Sequence, residues 1–287
     1  MYGIKIEYNK KNEPVKLIMK TVLKNIEYAP ILNFRNFMHY DFNVLPPDML
    51  LRSIDLRDKN IKRPGKGKIC LQIDGELFYI RLPLTFGNKK LPSNVGITSL
   101  LPIVTCPAGF GCFGKCYAVK ALHYPSCWNR RLIYTFLAYA AIGEYFELME
   151  YAIRTAPKKT DTIRIHESGD FFSKTYIGKW NSLVKLFPNL VFYYYTKTNI
   201  LNLSEFNNNS NVVANLSVYK GCLNFGNADY INNLEEKIKN DPMIKFFRCP
   251  CKPGEAEKIC NGKGKKACNL CKNKIENKLN FCAIHEH

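Results

Sequence analysis

Nine of the twelve cysteines in this 287-residue chain fall in two short segments, and that clustering constrains its fold more than any other feature. A reducing compartment does not favour stable disulfides, so clustered thiols there serve mainly as metal ligands. The first cluster, TCPAGFGCFGKCYA, spaces Cys106, Cys112 and Cys116 as C-x5-C-x3-C, with glycines at 109, 111 and 114 that let the backbone wrap a bound centre. The second closes the chain with Cys249, Cys251, Cys260, Cys268, Cys271 and Cys282. Its Cys268-x-x-Cys271 pair presents two thiolates to one metal. Cys70, Cys127 and Cys222 stand alone and read as small buried hydrophobes.

Around these clusters the pattern is one of alternating strands and helices. Residues 1–95 form a strand-rich N-terminal region, in which Asp74-Gly75 marks a hairpin turn and Arg57–Lys68 a basic loop that reads either as a boundary or as a phosphate-contacting surface. Residues 96–248 carry strands ending at Val104, Glu167, Lys197, Tyr219 and Phe247, separated by helices at about 129–155, 174–186 and 230–240. This order predicts an α/β fold built on a parallel sheet, a partial or complete (β/α) barrel. Residues 249–287 read as a cysteine-rich tail that needs metal to fold. The polar residues collect at the C-terminal strand ends, where such folds place their chemistry. They are Arg164 and His166 on one strand with Ser168, Gly169 and Asp170 at its end, Lys197 at the end of the next, and Asn215 and Ser217 on a third. Period-two alternation puts Arg164, His166 and Ser168 on one face of their strand, with Ile163 and Ile165 on the other. Asp170 has a second reading, as the cap of the helix that begins near Ser173.

A strand entering a three-cysteine loop, then a helix, then a strand ending in Ser168-Gly169-Asp170, resembles the opening of a radical S-adenosylmethionine (SAM) barrel. The loop is longer at both gaps than that superfamily's usual C-x3-C-x2-C. The resemblance implies a [4Fe–4S] cluster on Cys106, Cys112 and Cys116. It also implies SAM against Ser168, Gly169, Asp170, Asn215 and Ser217. The polar strand-end residues Arg164, His166, Asp170 and Lys197 are the catalytic candidates. More narrowly, TCP-x4-C-x3-CYA, HESGD, the aromatic strand ending YTK and the cysteine-rich end resemble the phage gene product 88 family over about residues 95–285.

The functional expectation is an iron–sulfur, radical-SAM-like enzyme served by an electron donor, with zinc or a second iron–sulfur cluster in the tail. A formal charge of +18 favours a nucleotide or nucleic acid as its substrate. Two other readings stay open. One is a zinc barrel of nucleobase exchange resembling the transglycosylases, with Asp170 as nucleophile. The other is a non-catalytic zinc protein that binds DNA or RNA. The longest apolar stretch, near Leu132–Ile142, is too short to span a bilayer, and no secretory signal opens the chain. A cytoplasmic protein is therefore expected, in the host cell if the gene is a phage's.

Overall fold

The computed structural model describes residues 3–20, 50–51, 53–88, 91–106, 116–198, 203–216, 244–248 and 279–283. These residues fall into two units, interleaved along the chain.

The first unit takes in residues 1–85, 99–104 and 116–156. Its sheet runs β1 (Gly3–Tyr8), β2 (Pro14–Lys20), β3 (Lys68–Ile73) and β4 (Glu76–Arg81) in that spatial order. β2 and β3 are parallel, while the outer pairs are antiparallel. Asp74 and Gly75 take φ values of 48° and 95°, the left-handed pair a tight two-residue hairpin requires, so the expected turn is present. Leu17, Met19, Ile69, Leu71 and Ile80 alternate onto the buried face. Helices α1 (Pro125–Ala140) and α2 (Ile142–Arg154) belong to this unit. The sequence predicts a single helix here. Ala141 breaks it by leaving helical geometry at φ −149°, ψ 61°. Its N–H still closes α1 on the Leu137 carbonyl, and its own carbonyl starts α2 by accepting from Tyr145. Leu132, Phe136 and Phe146 are buried, whereas Tyr139 is exposed and donates its hydroxyl to the Val104 carbonyl.

The second unit takes in residues 86–98, 105–115 and 157–287. Its sheet has the order β10-β11-β9-β8-β7-β6-β5, from β5 (Thr85–Phe86) and β6 (Val95–Ile97) through β7 (Thr162–Ile165), β8 (Val191–Thr196) and β9 (Val212–Leu216). β10 (Ile244–Arg248) and β11 (Leu279–Ala283) complete it. Every pairing from β6 to β10 is parallel, as the βαβ reading expects. The fold is thus mixed α/β with parallel strands in both sheets. β10 and β5 stand at the two ends of the order, and no barrel closure is seen among the described residues. β11, from the segment read as a tail, lies between β9 and β10, with Cys282 opposite Phe247. Helix α3 (Lys174–Lys185) follows β7, capped at its start by the Ser173 hydroxyl on the Tyr176 N–H. At its other end the Asn211 side chain donates to the carbonyls of Val184, Phe187 and Leu190. The short helix α4 (Ser204–Asn207) follows β8. The expected helix near Tyr230–Asn240 lies outside the described residues. Among them, no helix is long and apolar enough to cross a membrane.

Candidate functional site at the strand ends

Parallel strands β6, β7 and β8 all point their C-terminal ends the same way, and the segments leaving them are tied together by hydrogen bonds. Thr98, just past β6, donates its N–H to the Arg164 carbonyl at 3.0 Å. In return its hydroxyl accepts from the His166 N–H at 3.1 Å and its carbonyl from the Glu167 N–H at 2.9 Å. This threonine holds the β7 exit in place, and sequence reasoning did not single it out. Its marker was a polar Thr-Ser pair inside the apolar run GITSLL.

Asp170 is the second tie. Its Oδ1 accepts from the Phe171 N–H at 2.8 Å and from the Thr196 hydroxyl at 2.6 Å, and its Oδ2 accepts from the Lys197 N–H at 2.9 Å. Its own N–H donates to the Thr105 carbonyl at 3.0 Å. One buried carboxylate thus joins the β7 turn to the end of β8, while its backbone anchors the residue before Cys106. Burial raises this carboxyl above its ordinary value, against the lowering effect of the donors around it. Asp170 does not cap α3, a part Ser173 plays. With both oxygens engaged by protein donors, it is built as a clamp rather than a ready nucleophile.

His166 departs from the alternation argument. β7 ends at Ile165, and His166 takes a left-handed φ of 56°, which is uncommon for a residue with a side chain. The turn lets the imidazole leave the face that Arg164 occupies. Arg164 instead lies in register with Ile97 and Tyr193, its guanidinium 5.4 Å from the Tyr195 ring centroid. That face also carries the buried side chains of Val95, Ile97, Tyr193 and Val213. The His166 ring packs instead edge-on to Phe171 at 4.7 Å and stacks on Tyr176 at 5.6 Å, with Trp180 edge-on at 6.4 Å. Phe171 in turn meets Tyr194 from the opposite face of β8. The expectation that Arg164 and His166 share a face is therefore corrected: one left-handed residue ends the period of two.

Within this aromatic cage His166 Nε2 lies 2.9 Å from the Tyr176 hydroxyl, while Nδ1 is buried with no hydrogen-bond partner among the described residues. Burial holds the ring neutral, with its pKa pushed down to about 3. A buried ring nitrogen of this kind is free to accept or donate one hydrogen bond. Gly169 supplies the second left-handed residue of the turn, at φ 88°. Ser168 is buried beside it, and Lys197 is half-buried.

Cys106 and Cys116 are half-buried thiols. Ile103, three residues ahead of Cys106, has a φ of 71°, a strained value for a β-branched side chain at the entry to the cysteine loop. Cys112 lies outside the described residues, as do Ser217, Cys222, Cys249, Cys251, Cys260, Cys268 and Cys271. Asn215 is placed by its backbone in β9, opposite Tyr195 of β8. Among the described residues no three candidate ligands gather around one point. Cys70 and Cys127 are half-buried rather than fully enclosed. Cys70 sits on the outward face of its strand, where alternation with buried Ile69 and Leu71 puts it.

No curated protein and no solved structure matches this chain. A family model described as gene product 88 matches residues 81–274, which takes in all three strand-end segments, the first cysteine cluster and the second as far as Cys271. That span is well over half of the sequence, and the chain belongs to the gene product 88 family of phage proteins.

Proposed function

We propose that the chain is a metal-dependent enzyme working at the C-terminal ends of β6, β7 and β8, with Cys106, Cys112 and Cys116 holding the metal. The observation that carries this reading is the 3.0 Å bond from the Asp170 N–H to the Thr105 carbonyl. It fastens the start of the cysteine loop to the Ser168-Gly169-Asp170 turn, so the first thiol follows directly on a residue bonded to a strand exit that holds two left-handed residues, His166 and Gly169. Half-buried thiols suit a soft centre, since each has both a protein wall and an open side.

In its finer form the centre is a [4Fe–4S] cluster and the co-substrate SAM, as the motif order resembles. Such a centre would supply one-electron reducing chemistry to a SAM molecule bound beside it. The chain's own residues then have three tasks. The 168–170 turn and Asn215 with Ser217 would hold SAM. His166, kept neutral by its cage, would offer Nδ1 to a polar group of the bound molecule. Arg164 over Tyr195 would receive an anionic or flat group of a nucleotide or nucleic-acid substrate. Zinc or a second iron–sulfur cluster in the C-terminal cysteines has a structural part in this reading, and an external donor provides the electron. The zinc-barrel alternative needs an attacking carboxylate, a part poorly served by the saturated hydrogen bonding of Asp170.

The test is purification without oxygen, followed by iron, zinc and sulfide analysis and an optical spectrum. Replacing Cys106, Cys112 or Cys116 with alanine should each remove the same metal while the C-terminal metal stays. Metal content unchanged by all three substitutions, or a colourless chain without iron, defeats the iron–sulfur reading. Equilibrium dialysis with SAM then separates its finer and coarser forms.

A further inference from the structure

The basic loop Arg57–Lys68 and the sheet it leads into take no part in that site. The loop is folded. Asp58 caps the 3-10 turn Lys59–Lys62 through the Asn60 N–H, Ile61 is buried, and the Lys68 ammonium binds the carbonyls of Asn60 and Arg63. Arg57 pairs with Asp55, and Lys62 with Glu76. Lys59, Arg63 and Lys66 are exposed, and none forms an ion pair among the described residues.

Strand alternation sets what the outward face of the four-stranded sheet carries. Ile6, Leu17, Leu71, Phe78 and Ile80 fill the buried side, which leaves Lys5, Lys16, Leu77, Tyr79 and Arg81 on the other. One row across the four strands runs Glu7, Lys16, Cys70 and Tyr79. Arg81 stands two residues from Tyr79, on the same side of β4. Leu77 is 43% exposed. Glu7 is the single carboxylate among the described residues of this face.

We infer that this face binds single-stranded nucleic acid. A pleated surface with a half-buried aromatic ring among cations suits unstacked bases on Tyr79 and Leu77 and phosphates on Lys5, Lys16 and Arg81. A duplex hides its bases and would use the cations alone, leaving the tyrosine idle. The overall charge of +18 has the matching sign. The inference is independent of the metal reading, because it uses other residues and another sheet.

The experiment is fluorescence anisotropy of the full chain with labelled (dT)20, (rU)20 and a duplex of equal length, over a range of salt. Tyr79→Ala should weaken single-strand binding by about 5- to 150-fold and leave duplex binding as it was, while Tyr79→Phe should bind like the parent. Lys16→Glu with Arg81→Glu should lower the slope of log affinity against log salt by about 1.4, two phosphate contacts at about 0.7 each. Circular dichroism confirms that each variant is folded. The inference is overturned if Tyr79→Ala and the double variant both bind (dT)20 like the parent, or if Tyr79→Ala weakens the duplex by the same factor. Metal content, measured on the same samples, is the separate readout for the cysteine site.

Discussion

Replacing Asp170 tests whether one carboxylate ties the strand ends together. Asp170→Ala leaves the backbone N–H groups of Phe171 and Lys197 without acceptors, together with the Thr196 hydroxyl. A buried donor left unsatisfied costs about 1–3 kcal/mol, and the hydroxyl can rotate to another acceptor, so two donors set the scale at about 2–6 kcal/mol. Removing a carboxylate that burial already disfavours returns part of this, which brings the expected loss to about 2–4 kcal/mol. Asp170→Asn is milder. Its carbonyl keeps the two donors on Oδ1, but its NH2 then faces the Lys197 N–H, at a cost of about 1–2 kcal/mol. The two variants also differ from the parent in pH dependence. A carboxyl raised in the folded state contributes stability fully below the ordinary carboxylate value of 3.8 and loses it as pH climbs through its own higher value. Asparagine has no such titration, so the gap between parent and Asp170→Asn should widen as pH falls from neutral towards 4. Urea denaturation at a series of pH values measures both effects. An alanine cost below about 1 kcal/mol, or a gap that does not change with pH, would refute the clamp.

His166 should show the opposite slope. Its pKa falls to about 3 on folding, so the neutral ring favours the folded state above the unfolded value of 6.5. This contribution is lost as pH drops below 6.5, by about 1.4 kcal/mol per unit, and His166→Phe should flatten that part of the denaturation profile. Trp180, fully buried beside His166, should cost about 3–5 kcal/mol when cut to alanine, read by thermal unfolding. Gly87 has a φ of 60°, and an added Cβ would stand 2.9 Å from the Ser93 backbone, so Gly87→Ala should destabilise by about 1–3 kcal/mol in the same assay. A Gly87→Ala chain as stable as the parent would mean that the 87–93 turn is looser than its geometry.

What the sequence determined on its own was local and periodic. Asp74-Gly75 specified its hairpin because few other residue pairs adopt two successive left-handed conformations cheaply. Alternating burial in Lys68–Ile73 was likewise legible, since side-chain direction along a strand follows from the backbone alone. The parallel sheet followed from the order of strands and helices. Three matters were decided only by tertiary structure. One left-handed residue turned His166 away from Arg164, a choice stabilised by the Thr98 bonds and the Phe171–Tyr176–Trp180 cage rather than by its neighbours in sequence. Asp170 became a tie between β7 and β8 because the donors it meets come from residues 26 and 27 positions away, which no local pattern encodes. The segment read as a tail gave up Leu279–Ala283 to the middle of the sheet, where its backbone groups pair with strands on both sides. A strand's own sequence states which face it can bury, but its place in a sheet depends on partners distant along the chain.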